Sequence, residues 1–501
     1  MSDLPPGWVE TSIENVFAVL ADGRTLHQGW SPQCEKEPSR SEDDWGVLKT
    51  TAIQDGVFLP EHNKRLPDHF DPRPLIEVRE GDILITCAGP RARCGISCLV
   101  TKTRPRLMIS GKMYRFRAPE RYINPHYIAF YLQSAAARSA IDRMKTGISD
   151  SGLNLTHDRF RRLQIPIAPS EEQDRIVAAI EEQFSRLDAG TAALERVRQN
   201  LKRMRASVLQ AAVTGRLVPQ SGDPAAAAWL VKQLHHDAAA NGRRKTVVPA
   251  VQYLDPIPDT WQVVALADMA QSIDYGTSEK THAEAKGIPV LRMGNLGWGT
   301  IAYNDLKFLP RERLDSRLLL QHGDLLFNRT NSAELVGKTA IFHGYPKDIA
   351  FASYLIRVQP LPSANLEWAN IVLNSAIGRR YIASVRIQQV GQANVNGTKL
   401  AATPIPLPSA EEQSRIITEC ERLFSMIDML EDAAVAAIDR GEYLRSSVLA
   451  TAFAGNLVAQ DPSDKPASVL LELIASQQAK FNGNRSQRIR GRRTPRGKVM
   501  S

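Results

Sequence analysis

No apolar run in the 501-residue chain approaches the ~18 residues a membrane-spanning helix needs. Nor does Met1-Ser2-Asp3 open the basic-then-apolar pattern of a secretion signal, so a cytoplasmic protein is expected. Cysteine is scarce: Cys34, Cys87, Cys94, Cys98 and Cys420 are odd in number and scattered, which excludes a disulfide framework and offers no paired zinc spacing. Gly and Pro are in no excess, at 31 and 30, and a 43% hydrophobic content supplies a core, so collagenous and disordered classes are excluded. At ~150 residues per domain, the length implies two to four domains.

Catalytic motifs are missing too. A phosphate-binding loop needs Gly-x4-Gly-Lys-[Ser/Thr], but Gly337-Lys338-Thr339 is preceded by Ser332 where the first Gly belongs. No Gly-x-Gly-x-x-Gly fingerprint follows a strand pattern, so no nicotinamide or methyl-donor pocket is signalled. Asn124-Pro125-His126-Tyr127 lacks the second Pro of an adenine methyltransferase motif and reads as a turn before a helix. Asp274 with Glu284-Ala285-Lys286 resembles a nuclease magnesium set only in composition, and His235-His236 reads as solvent-facing. Neither metal chemistry nor catalysis is expected.

Charge is unevenly spread. Of the formal +9, seven charges follow Asn482, in Arg485, Arg488, Arg490, Arg492, Arg493, Arg496 and Lys498. Residues 482–501 are therefore expected to be a disordered basic tail suited to non-specific phosphate contact or to solubility. Residues 84–164 carry fifteen bases against four acids, which predicts a basic face in the first domain.

The decisive feature is an internal repeat. Residues 165–218 align with 405–458 at a constant offset of 240, with about twenty identities in fifty-four positions. Ile165-Pro166, Glu171-Glu172-Gln173 and Arg175-Ile176 recur as Ile405-Pro406, Glu411-Glu412-Gln413 and Arg415-Ile416. Upstream, Trp8 answers Trp261, and the Gly-Asp start of the strand at Gly81 answers Gly323. Helices are predicted after Pro169 and Pro408, capped by Ser170 and Ser409, with acidic first turns that suit the helix dipole and ends at Gly215 and Gly455. Apolar residues recur at three- and four-residue steps through Ile176, Ile180, Phe184, Leu187, Leu201, Met204 and, in the second copy, Ile416, Cys420, Phe424, Ile427, Leu444, Val448. Helices of about forty residues outrun a small domain, so the two seams are expected to pair as an antiparallel coiled coil.

The predicted class is α+β: two mixed α/β domains at 1–164 and 255–404, two helical regions at 165–254 and 405–481, and the tail. Strands are expected at Asp82–Thr86, Ile288–Met293, Asp324–Asn328 and Phe351–Val358, and helices over Pro125–Lys145 and Leu366–Val385. Candidate DNA contacts are basic and amide residues on Gly-bounded loops, since Arg binds guanine bidentately, Asn adenine, and Lys mostly phosphate. In the first domain they are Lys49, Arg91, Arg93, Lys112, Arg115, Arg117 and Asn154, with Lys112, Arg115 and Arg117 placed on one strand face. In the second they are Arg292, Asn295, Arg329, Asn331, Lys338, Asn394, Asn396 and Lys399.

With these residues in view, the chain resembles the specificity subunits of type I restriction-modification systems, over about residues 4–480. The doubled Ile-Pro, Glu-Glu-Gln and Arg-Ile sets, the Gly-Asp strands and the two Trp residues carry the resemblance. It implies two target-recognition domains that each read half of a bipartite, asymmetric DNA site, with the helices as a ruler between them. It further implies a non-catalytic chain that binds double-stranded DNA, two modification (methyltransferase) subunits and two restriction (motor-nuclease) subunits. Those partners would use S-adenosylmethionine, ATP and magnesium. The alternatives are a stand-alone endonuclease or methyltransferase, for which a complete motif is missing, and a coiled-coil scaffold without sequence-specific DNA binding.

Overall fold

The computed structural model describes residues 4–39, 41–220, 222–242, 253–389 and 391–491. They form two units, Met1–Ala193 with Ala437–Ser501, and Leu194–Ala436, so each unit holds one globular domain and part of both long helices. The helices are α1 (Pro125–Gln133), α2 (Ala135–Met144), α3 (His157–Arg161), α4 (Ser170–Val213), α5 (Pro224–Ala240), α6 (Leu366–Asn374), α7 (Ala376–Val385), α8 (Gly397–Ala401), α9 (Ala410–Phe453) and α10 (Ala467–Gly491).

In the first unit an antiparallel sheet runs in the spatial order His27–Gln28, Met113–Arg117, Asp82–Thr86, Ser97–Leu99. Strand alternation sends Ile83 and Ile85 against Phe116, Tyr127 and Ile128, and sends Leu84 to the opposite face with Val47, Leu107 and Met108. Both faces are covered, which is why the strand is continuously apolar rather than alternating. A second sheet joins Asn63–Arg65, Gly46–Leu48 and Leu107–Met108, and a third pairs Val9–Ser12 with Gln164–Ile167.

The second unit repeats this plan. Ala270–Tyr275, Leu355–Pro360, Leu325–Asn328 and Thr339–Ile341 form the four-stranded sheet, with Leu325 and Phe327 on one face and Leu326 on the other. Lys307–Leu309, Ile288–Leu291 and Ala350–Phe351 form the three-stranded one, and Gln262–Ala265 pairs with Pro404–Leu407. Two expectations need correction here. The predicted strand 351–358 is two strands in different sheets, the chain turning where Leu355 N–H donates to Ala352 at 2.9 Å. Each predicted long domain helix is two helices, broken at Ser134 and Ser375, whose hydroxyls accept from Ala137 and Gly378 N–H and so cap α2 and α7.

Both 44-residue helices match the sequence reading. Ser409 caps α9 by accepting Glu412 N–H at 3.2 Å, whereas Ser170 lies one position inside α4 and the Pro169 carbonyl takes Gln173 N–H instead. Gly215 and Gly455 end the helices with φ of +68° and +72°, and Arg216 and Asn456 close the last turns back onto Ala211 and Thr451. In the first unit Ile176, Val177 and Ile180 pack with Leu449, Ala452 and Phe453; in the second Val208, Ala212 and Val213 pack with Ile416 and Cys420. The early part of each helix lies beside the late part of the other, which is antiparallel pairing.

Matched residues repeat across the pairing. Arg445 stacks 4.6 Å over Phe184 and pairs with Asp188, while Arg205 stacks 4.7 Å over Phe424 and pairs with Asp428. Leu201 and Ile427 are buried, and Leu187 and Val448 half-buried, but Met204 and Leu444 are exposed, at 42% and 48%. These two leave the seam because the neighbouring Arg205 and Arg445 cover the aromatic rings there. Backbone helix also continues to Gly491, into the segment expected to be disordered; 492–501 and the linker 243–252 lie outside the described residues.

The motif residues explain how domain and helix join. Trp8 Nε1 donates to Glu172 at 3.0 Å, and Trp261 Nε1 to Glu412 at 3.2 Å. Gln173 and Gln413 donate to the Ala168 and Pro408 carbonyls at 2.8 and 3.0 Å. Burial pushes the Glu172 carboxyl up, opposed by hydrogen bonds from Trp8 and Gln460. The second Glu and the Gln of each doubled set, Glu172-Gln173 and Glu412-Gln413, are thus a buried polar clamp on the first turn of each long helix, satisfied as buried polar groups must be, while Glu171 and Glu411 stay exposed.

Candidate nucleic-acid interface

In each domain the apolar central strand delivers the chain into a loop that closes on a glycine, Cys87–Gly95 in the first and Arg329–Gly337 in the second. Arg329 leaves the strand half-buried. Its guanidinium lies 4.9 Å over Tyr275, Nη2 donates to Asn394 Oδ1 at 3.2 Å and Nη1 to the Ser353 carbonyl at 3.4 Å. Its Nε is buried with no hydrogen-bond partner among the described residues. Asn394 in turn donates to Thr330 at 2.8 Å, and Tyr275 receives Gly397 N–H at 2.7 Å. Tyr275 and Tyr354 remain 45% and 48% exposed, and the Arg329 guanidinium, the Asn331 and Asn394 amides and the Tyr275 ring gather around one short strand pair, Thr330–Asn331 beside Gln392–Asn394. Asn331 lies on that edge and accepts Ser332 N–H; Lys338 follows the loop, partly exposed.

The first domain has the same edge, Ala88–Gly89 beside Leu153–Asn154, with different side chains. Exposed Arg91 bridges Asp150 at 3.0 Å and Asp142 at 2.7 Å, and the Lys145 hydrogen bond, with Arg91 beside it, holds Asp142 below the usual carboxylate range. Lys112 and Asn154 are exposed. Lys49 and Arg292 do occupy matched places, each closing the first strand of a three-stranded sheet, and Arg292 binds the Asp305 carbonyl at 3.0 Å.

Several candidates are committed to structural partners. Arg115 is 7% exposed and donates to His27, to the Leu75 and Glu77 carbonyls and toward Asp82. Arg117 shares a face with it and pairs with Asp82 at 2.6 Å, whereas Lys112 precedes the strand. Arg93 is locked onto Gln54 and the Thr50 and Ile53 carbonyls. Asn295 is buried and holds the Ala302 and Asn304 carbonyls. Asn396 caps α8 through Lys399 N–H, and the Lys399 amine closes α7 at the Val385 carbonyl, 2.5 Å away. Desolvation outweighs surface display for Arg115, Arg93 and Asn295: an Arg or Asn that satisfies inward-facing carbonyls cannot be withdrawn without orphaning them. Asn396 stays exposed, but its side-chain oxygen is taken by the helix cap.

The excluded chemistry takes its place as structure. Asn124 accepts His126 N–H at 2.9 Å as a helix cap, Asp274 pairs with Arg357 at 2.9 Å, and Gly337-Lys338-Thr339 leads into a strand rather than a helix.

Residues 258–436 match the family model described as the type I restriction modification DNA specificity domain. The chain is 25% identical to the type I restriction enzyme EcoKI specificity subunit of Escherichia coli K12 over 97% of this chain and 98% of that one. Over nearly its whole length, then, this chain is similar to a type I restriction specificity subunit. A shorter, closer match, 39% identical over 197 residues, is to the EcoEI specificity subunit of Escherichia coli, covering 39% of this chain and 32% of that protein. A solved structure from work on assembly and conformational transition of the type I system shares the fold, with a TM-score of 0.57 at 19% identity over 91% of this chain and 99% of that one. The match to the DNA specificity domain falls on the second globular domain and the first part of α9, and so includes the Arg329–Gly337 loop.

Proposed function

We propose that this chain is a type I specificity subunit that reads a bipartite, asymmetric DNA site, one half through each globular domain, and positions the catalytic subunits without catalysing a reaction itself. The observation that carries the proposal is the doubled loop: one backbone scaffold built twice, presenting Arg329, Asn331 and Asn394 in one domain and Arg91, Lys112 and Asn154 in the other. Guanidinium and amide groups on a fixed frame are the chemistry of base-edge readout, and two unlike sets read two unlike sequences. Lys49, Arg292 and Lys338 at the margins suit phosphate contact.

The partners in this reading are double-stranded DNA, two modification subunits and two restriction subunits, in the cytoplasm. S-adenosylmethionine would serve the modification subunits, and ATP with magnesium the restriction subunits. The exposed faces around Met204 and Leu444 are the surfaces such partners would cover.

Methyl transfer from labelled S-adenosylmethionine to DNA tests this, using the chain alone, the neighbouring modification subunit alone, and both together. Modification only with both, confined to one bipartite sequence, is expected. Methylation or cleavage by this chain alone would overturn the proposal.

A further inference from the structure

The two reading loops share no residue before their closing glycine, yet their backbones are the same. Gly95 and Gly337 N–H return to Thr86 and Asn328 carbonyls at 2.7 and 2.9 Å. Cys94 and Val336 N–H close turns onto Pro90 and Ser332 at 2.9 and 3.0 Å, and Leu155 and Val395 N–H tie the loop starts at Cys87 and Arg329, at 2.8 and 2.9 Å. Something outside the loop sequence must therefore hold it in one shape while its side chains change.

The helix beneath each loop supplies that support. Gly95 and Gly337, at φ of +89° and +94°, pack against Ile141 of α2 and Ile382 of α7. The residue that ends each helix is a cation, Lys145 after α2 and Arg386 after α7. Lys145 Nζ donates to the Arg91 carbonyl at 3.0 Å, and Arg386 Nη1 to the Ala333 carbonyl at 2.6 Å. Arg91 and Ala333 are equivalent loop positions, so two different cations on two different helices bind the same carbonyl. The Lys145 side chain is 8% exposed, which makes this a desolvated, charge-assisted bond. The helix end is itself fixed by a second matched cation, since Arg159 and Lys399 donate to the Met144 and Val385 carbonyls at 3.0 and 2.5 Å.

We infer that Lys145 and Arg386 are positioning residues for sequence readout, each fixing the reading loop of its own domain and hence one half-site. A cation is needed because only a long side chain with a charged donor spans from the helix end to the loop carbonyl. Lys145 shows that an ammonium suffices where Arg386 uses a guanidinium. The inference rests on the proposed DNA-reading role.

The test uses the full chain expressed with its modification subunit in a host free of DNA methylation, with modified adenines mapped across the genome. Arg386→Met is expected to lower base discrimination about tenfold in one half-site, leaving the other half and the gap unchanged, and Lys145→Met to do the same in the opposite half. Arg386→Lys and Lys145→Arg should restore discrimination to within about twofold, a rescue that loss of folding would not show. An unchanged motif in both Met variants would overturn the inference, as would uniform loss at both half-sites or failure of the conservative variants to rescue. Absence of any sequence-confined modification with the unaltered chain would instead overturn the DNA-reading role on which it rests.

Discussion

The Gly455→Ala substitution separates two costs that usually come mixed. Gly455 ends α9 at φ +72°, and a Cβ added there would fall on Pro5 Cγ; Gly215 stands in the same relation to Pro258 at the end of α4. Gly222 has the same φ, +72°, but a Cβ there would meet no atom within 4 Å. Gly222→Ala thus reports the left-handed backbone alone, about 1–2 kcal/mol. Gly455→Ala adds overpacking against a rigid proline ring, about 1–3 kcal/mol more, so a total of about 2–5 kcal/mol is expected. Pro5→Ala removes the obstructing ring, and in the Gly455→Ala background it should recover most of the excess while doing nothing for Gly222→Ala. Urea unfolding of the three single variants, the two double variants and the parent gives the coupling energy directly. Equal losses for Gly455→Ala and Gly222→Ala, or no recovery by Pro5→Ala, would refute the idea that the N-terminal segment docks on the helix end through this glycine.

Burial dominates at Asp324, which is lifted from 3.8 to about 6 despite hydrogen bonding and the nearby Arg357. Folding therefore favours its protonated form, so this contribution is complete below about pH 4 and is lost as pH rises through about 6, amounting to about 3 kcal/mol; Asp324→Asn should erase that slope, and parallel unfolding midpoints for variant and parent between pH 4.5 and 7 would contradict it. Asn328 is fully buried with neither amide atom hydrogen-bonded among the described residues, so the near-isosteric Asn328→Leu should raise stability by about 1–3 kcal/mol, and a loss of stability in the same urea assay would mean the amide is satisfied in solution. Arg329→Ala should relax one half-site by about 1–3 kcal/mol of discrimination in a methylation assay over variant sites; a loss spread evenly across all DNA sequences would identify a phosphate contact instead.

Much of the frame was legible because helical periodicity and end signals are local. Gly215 and Gly455, the acidic first turns, and the 240-residue offset required no tertiary knowledge. What local reasoning could not assign was the destination of individual polar side chains. Arg115 alternates correctly for a displayed strand residue, yet it is drawn to Asp82, a partner thirty-three positions away that no window of sequence contains. Lys399 is exposed by its pattern but spent on the Val385 carbonyl, and Asn295 sits in a polar loop but is folded inward onto that loop's own backbone. The interior breaks at Ser134 and Ser375 escaped because apolar spacing runs through them, while a single hydroxyl decides the cap.

A signal for these assignments nevertheless lay in the repeat, and it has the opposite sense to the obvious one. Recurrence in both domains invites a functional reading, but the recurring polar residues are mostly frame. Asp82 and Arg115 have the same thirty-three-residue separation as Asp324 and Arg357, and both pairs are buried. Arg159 and Lys399 recur as cations and both close a helix; Trp8 and Trp261 recur and both clamp a glutamate. Two domains that read different DNA sequences on one scaffold must agree where the chain is held and differ where it touches bases. Cys87 against Arg329, Gly89 against Asn331 and Arg91 against Ala333 are places where the scaffolds coincide and the chemistry does not. Under the proposed function, base contacts then belong chiefly to the unmatched positions of the loops, and the matched Lys145 and Arg386 belong to the apparatus that holds those positions still.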